Sequence, residues 1–206
     1  MVYGCVKSKL DGSEHVYGSN IPMSLPKKYS YIKQLPKVLD QGDKPICVPC
    51  SLACCLNWML NVQNGVSKVD NNIDMMEIYD RATSKCKDGM ELKDALKALR
   101  KVGIGSDKGN VRIERYAMVG TKDHLKQALI ANGPCVGALP MYNDKKEKFW
   151  LDDGSSLKCG HAVAIVGYDD KGFIIRNSWG TSYGDKGYGF IPYDEIDKFM
   201  EIWTMW

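Results

Sequence analysis

Apolar residues recur three and four positions apart from Val48 to Leu60, with Leu52, Leu56, Met59 and Leu60 on one face. With Pro49 suited to a first helical turn, this pattern predicts a buried helix whose N-terminal end carries Cys47. A shorter helical pattern is read near Asp74–Ala82. A clearer one covers 88–101, where Leu92, Ala95, Leu96 and Leu99 share a face and Gly103 ends the run. Beyond Val111 the period changes. One more helix follows Thr121, with Leu125, Ala128 and Leu129 inward, and then 135–139, 162–168, 173–176 and 187–191 read as strands. Asp169-Asp170-Lys171-Gly172 has the composition of a hairpin turn. Helices first and strands second predict an α+β architecture of two lobes, mainly helical over 25–110 and mainly β over 111–206, with a cleft between them. Residues 1–24 are rich in Gly, Ser and Lys and show little periodicity. They are read as an extension that lies across the cleft and restrains it.

Composition narrows the picture. The chain has 206 residues, 44% of them hydrophobic, enough for a packed core without a metal. Its 28 basic and 25 acidic side chains leave a formal charge of +3, without runs of like charge, so neither a nucleic-acid nor a membrane partner is expected. No stretch approaches the roughly 20 apolar residues that cross a bilayer, and the N-terminus lacks the apolar core of a secretion signal. The expectation is a soluble, monomeric protein of the cytosol. The eight cysteines follow no disulfide framework and are read as free thiols. A zinc site would need a second ligand pair at regular spacing, and none appears, so no metal or cofactor is expected.

A thiol attacks as its thiolate, and a helix N-terminus or a cation must lower its pKa. Cys47 has the helix, worth about 0.3–1 kcal/mol at exposed sites, so a histidine should stand close by. Of the three histidines, His161 has the most constrained setting, between Gly160 and the apolar run Ala162–Tyr168. If 162–168 and 173–176 pair as a hairpin, His161 and Asn177 become neighbours, and an amide at that place would orient the imidazole. Cys50 remains a competitor for the nucleophile at this point. Cys47-Val48-Pro49-Cys50 also fits a redox Cys-x-x-Cys, although the Lys- and Pro-punctuated 32–39 is a poor βαβ strand to precede one.

The stretch Gly160–Tyr193 resembles the histidine and asparagine region of papain-family cysteine peptidases. His161, Asn177-Ser178-Trp179-Gly180 and Gly184-Asp185-Lys186-Gly187-Tyr188 carry the likeness. Asp40-Gln41-Gly42 is similar to the family's Asp-Gln-Gly, whose glutamine lies six residues before the nucleophile; that count from Gln41 reaches Cys47 and not Cys50. The resemblance implies a papain-like two-lobed fold and a cysteine endopeptidase acting on peptide or protein substrates. In it Cys47, His161 and Asn177 form the triad, Cys47 and His161 resting as thiolate and imidazolium. Gln41 and the Cys47 amide form the oxyanion hole, and Trp179 shields the Asn177–His161 bond. It also implies that Asp88, Gly89 and Gly160 bind substrate backbone, and that Met200 or Glu201 helps to shape the main specificity pocket.

The chain departs from the family in places. Lys44-Pro45-Ile46-Cys47-Val48 lacks the family's first cysteine, which leaves Cys86 without its usual disulfide partner, and Val48 replaces an aromatic residue. The family's long pro-segment is not recognised in the first 25 or so residues, too few to fold alone. The rivals to hydrolysis are a silent papain-like binding protein and an acyl transferase with the same triad.

Overall fold

The computed structural model describes residues 4–18, 24–66, 68–82, 89–143 and 147–206. Four α-helices lie among them: α1 (Cys47–Gln63), α2 (Met75–Arg81), α3 (Leu92–Lys101) and α4 (Lys122–Ala131). Asp74 caps α2 by accepting a hydrogen bond from the Glu77 amide, and Thr121 caps α4 by accepting one from the His124 amide. Helix α3 starts at Leu92, later than the expected Asp88, because Met90 and Glu91 are held as a strand.

The strands are β1 (Cys5–Val6), β2 (Val16–Tyr17), β3 (Tyr29–Ser30), β4 (Met90–Glu91), β5 (Ile104–Ser106), β6 (Gly109–Val111), β7 (Tyr116–Val119), β8 (Cys135–Met141), β9 (Cys159–Tyr168), β10 (Gly172–Arg176), β11 (Tyr188–Pro192) and β12 (Glu201–Met205). Apart from the β5–β6 hairpin, they form one sheet with the central order β11-β10-β9-β8-β12-β7-β2. The β9–β10 hairpin turns at Asp169–Gly172, as expected, where the Asp169 amide donates to the Gly172 carbonyl.

Strand β9 explains the two lobes. Successive side chains of a strand point to opposite faces. Ala162, Ala164 and Val166 accordingly face the core of α1–α3 with Leu52, Leu56 and Leu96, while Val163 and Ile165 face a second core with Leu125 and Leu129 of α4 and with Phe149 and Trp150. Both faces being buried, the run reads as continuously apolar instead of alternating. The result is an α+β two-lobed fold in which the start of α1 meets the start of β9.

The N-terminal segment is more ordered than its weak periodicity suggests. Strand β1 pairs in parallel with β4 of the helical lobe and touches β9 of the other, Cys5 standing opposite Gly160. Strand β2 then pairs in parallel with β7. Residues 4–18 thus run as a strap from one lobe to the other.

Candidate active site

Cys47 is the first residue of α1, and its sulfur accepts a hydrogen bond from the Ala162 amide at 3.4 Å. That amide follows His161 directly, so β9 brings the residue that carries the imidazole to the N-terminal end of α1, although no hydrogen bond joins the sulfur to the ring. His161 Nε2 lies 2.7 Å from Asn177 Oδ1, and among the described residues Nδ1 has no hydrogen-bond partner. With Nε2 taken by Asn177, Nδ1 is the nitrogen left to exchange a proton with sulfur. The sequence placed His161 at the start of its strand; the strand begins two residues earlier, at Cys159, so the histidine is held on both sides.

Trp179 stacks on the His161 ring at 4.5 Å between centroids and 29° between planes, and Phe149 meets the same ring edge-on at 5.3 Å. Neither ring competes for the imidazole nitrogens, and both pack against the buried His161. Phe149 was not singled out from the sequence; no motif marks it, and only its place beside Trp150 in the second core brings it here.

Gln41 is brought to the same place by pairing of its loop with the segment after Asn177. The Gln41 amide donates to the Ser178 carbonyl at 2.8 Å, and the Ser178 hydroxyl donates to Gln41 Oε1 at 2.6 Å. Gln41 Nε2 in turn donates to the Lys44 carbonyl at 2.9 Å. The Ser178 amide donates to Asn177 Oδ1 at 2.7 Å, so one serine steadies both the orienting amide and the glutamine. Sequence reading quoted Ser178 only as part of a motif.

Of the residues expected to bind substrate backbone, Asp88 lies outside the described residues, as does Cys86. Gly89 and Gly160 face one another across the cleft with the strap between them. Gly89 has φ +129°, and a Cβ there would come within 2.0 Å of the Gly4 backbone; one on Gly160 would meet the Cys5 carbonyl oxygen at 2.6 Å. Met200 and Glu201 are both at this wall. The Met200 methyl would lie 2.6 Å from a Gly160 Cβ, and Glu201 Oε1 accepts from the Ser8 amide at 3.0 Å while Oε2 accepts from the Trp203 indole at 2.6 Å.

The strap covers the thiol. The Gly4 amide hydrogen-bonds the Cys47 sulfur, and the Gly4 carbonyl accepts from the Met90 amide at 3.0 Å. Cys47 and His161 are both fully buried. Burial pushes the Cys47 thiol up to about 11, against the amide bonds that favour its thiolate, and pushes His161 down to about 4, against the bond from Asn177. Under the strap, burial thus opposes the expected resting ion pair, disfavouring both the thiolate and the imidazolium.

Cys5, Cys50, Cys54, Cys55 and Cys135 are buried and free, whereas Cys159 is partly exposed. Cys50 lies one turn along α1 with its sulfur 3.6 Å from that of Met75, and burial raises its pKa to about 12. Among the described residues no group of three or more His, Cys, Asp or Glu side chains could hold a metal, and no helix is long and apolar enough to cross a membrane.

Residues 47–200 match the family described as papain family cysteine protease. Cathepsin B-like CP3 of Giardia intestinalis is 28% identical over 178 residues, which are 79% of this chain and 52% of that protein. Cathepsin B-like CP2 of the same organism is 26% identical over 177 residues, again 79% of this chain and 52% of the relative. The chain thus spans about half the length of these relatives. Among solved structures, Xylellain, a cysteine protease from Xylella fastidiosa, aligns with a TM-score of 0.81 at 24% identity over 98% of this chain and 95% of that one. ProCathepsin B S9 from Trypanosoma congolense aligns at 0.79 and 16% identity, over 99% and 85%. These likenesses show the same two-lobed fold.

Proposed function

Because this chain belongs to the papain family of cysteine proteases, we propose that its cleft hydrolyses peptide bonds through Cys47, His161 and Asn177. The observation that carries this reading is the Cys47 sulfur held by the amide next to His161, while the far nitrogen of that histidine is held by Asn177. With the cleft open to water and substrate, the thiol passes its proton to His161 and the sulfur attacks the peptide carbonyl carbon. The oxyanion formed is met by the Cys47 amide and the Gln41 side chain. The carbon–nitrogen bond then breaks as His161 returns the proton to the departing amine, leaving a thioester that water hydrolyses with His161 as base. Asn177 keeps the imidazole aimed throughout, and Trp179 keeps water off their bond.

The strap is the second part of the reading. In this state it fills the strand-binding edges at Gly89–Met90 and Gly160, and so acts as a restraint. Catalysis requires that it leave. The Gly4 amide bond, the β1 pairings and the Ser8–Glu201 bond support this role.

The test is turnover of a fluorogenic peptide library by the full chain, with and without an amine acceptor, and labelling by a thiol-directed epoxide. Cys47→Ala is expected to lose both activities and Cys50→Ala to keep them. Persistent labelling in Cys47→Ala would overturn the assignment, and products formed only with the acceptor would replace hydrolysis by acyl transfer.

A further inference from the structure

A cavity of about 570 Å³ opens away from the catalytic residues, lined by His15, Val16, Tyr17 and Gly18 on one side and by Arg100, Arg115, Tyr116, Ala117 and Trp206 on the other. Its volume falls within the roughly 300–1,000 Å³ of small-molecule sites. The first wall is the far end of the strap, fixed to β7 by the Val16–Met118 and Tyr17–Val119 pairing and by the bond from the Met118 amide to the His15 carbonyl. The second wall belongs to the lobes.

Two features point to a ligand. Arg100 and Arg115, both exposed, line the same cavity, and among the described residues neither has an ion pair. Guanidinium forks match phosphate and carboxylate oxygens in pairs, and the His15 imidazole adds a further polar group. Beside them stand Tyr17, Tyr116 and Trp206, whose rings give flat apolar surface, and Val16, 63% exposed at the cavity, is an apolar side chain that a ligand ring would cover. We propose that this cavity binds a small molecule carrying a phosphate and an aromatic ring, the phosphate on Arg100 and Arg115 and the ring against Val16 and the aromatic side chains.

One wall is the strap itself, and this has a thermodynamic consequence. A ligand that touches both walls binds the strapped form better than the released form, and so shifts the population toward the strapped form. Occupancy therefore holds the cleft closed, a regulatory effect that rests on the strap being the restraint argued above. The ligand acts as an inhibitor bound outside the catalytic cleft.

The experiment uses the full chain with phenyl phosphate, adenosine 5′-monophosphate and inorganic phosphate as probes. Binding is followed by calorimetry and tryptophan fluorescence, and hydrolysis is measured in parallel. The two aromatic phosphates are expected to bind more tightly than inorganic phosphate and to slow hydrolysis several-fold. Arg100→Ala/Arg115→Ala is expected to weaken their binding about tenfold or more, ~1.4 kcal/mol, while keeping basal activity. Binding that survives the double variant unchanged, or that is equal in a chain lacking residues 1–18, overturns the site. Binding that is lost in both while hydrolysis ignores the ligand overturns only its link to the strap. A chain that binds as expected yet hydrolyses nothing under any condition leaves the site standing and removes the peptidase reading.

Discussion

Gly4 and Gly89 meet backbone to backbone, so closely that a Cβ on Gly89 would stand 2.0 Å from the Gly4 carbonyl carbon. One glycine belongs to the strap and the other to the lobe that it closes. At Gly4 itself a Cβ would lie 2.1 Å from the Pro45 carbonyl oxygen, against backbone that cannot swing aside. Gly4→Ala therefore cannot seat as the native strap does, and the lobes keep their own contacts. The expected outcome is faster peptide hydrolysis, several-fold, together with faster alkylation of Cys47. Unchanged alkylation would show that the strap does not limit access.

A second hold on the strap is ionic. The Lys93 ammonium reaches Asp11 at 3.0 Å and also pairs with Glu14, and the Lys93 amide donates to the Ser8 hydroxyl at 3.1 Å. Hydrogen bonds from Ser13 and Lys93 hold the Asp11 carboxyl well below the usual range, and Lys93 lowers that of Glu14. The carboxylates thus stay charged through mild acid, and salt, not protonation, should weaken this hold. Lys93→Met is expected to raise basal hydrolysis and abolish most of its dependence on ionic strength. Rate measurements between low and high salt decide it, and an identical salt profile in the variant would count against the latch.

The buried imidazole makes a pH prediction. The pKa of His161 falls from the ordinary 6.5 to about 4 in the closed fold, so between these values the unfolded chain binds more protons than the folded one. Stability then rises with pH across that window and is lost as pH falls from 6.5 toward 4. Urea midpoints measured over this range should show the slope in the native protein and a smaller one in His161→Gln. An equal slope in both would assign it to other groups.

Ser178 offers a test of positioning without touching the triad. Its hydroxyl holds Gln41 Oε1 at 2.6 Å, so Ser178→Ala frees Gln41, the proposed oxyanion donor, to turn. A hydrogen bond of this kind is worth about 1 kcal/mol, which predicts a fall in kcat of roughly fivefold with KM little changed. A rise in KM with kcat intact would instead assign Ser178 to substrate binding.

How much of this was legible in the chain depended on period and length. The apolar face of Leu52, Leu56 and Leu60 gave α1, and the paired runs about Asp169–Gly172 gave the hairpin that joins His161 to Asn177. Strands β1, β2 and β4 are two residues long, below any detectable alternation, and exist because backbone from distant segments meets there. The strap was therefore anticipated as a segment without a fold of its own lying across the cleft, and its route along β4, β9 and β7 could not be traced. Lys93 was missed for a related reason: it sits on α3 among surface charges, and only the arrival of Asp11 and Glu14 buries it. The desolvation acting on Cys47 and His161 was not foreseen, because the helix dipole can be read locally whereas burial depends on what covers the site.

Strand β9 sends alternate side chains into the two cores, and its third residue is the catalytic-site histidine. The lobes consequently share a wall and have no seam along which one could melt while the other stands. Amide exchange along 161–166 should proceed only by global opening, so protection there should match the free energy of unfolding the whole molecule. The aim of the imidazole is guarded by the full cooperativity of the chain.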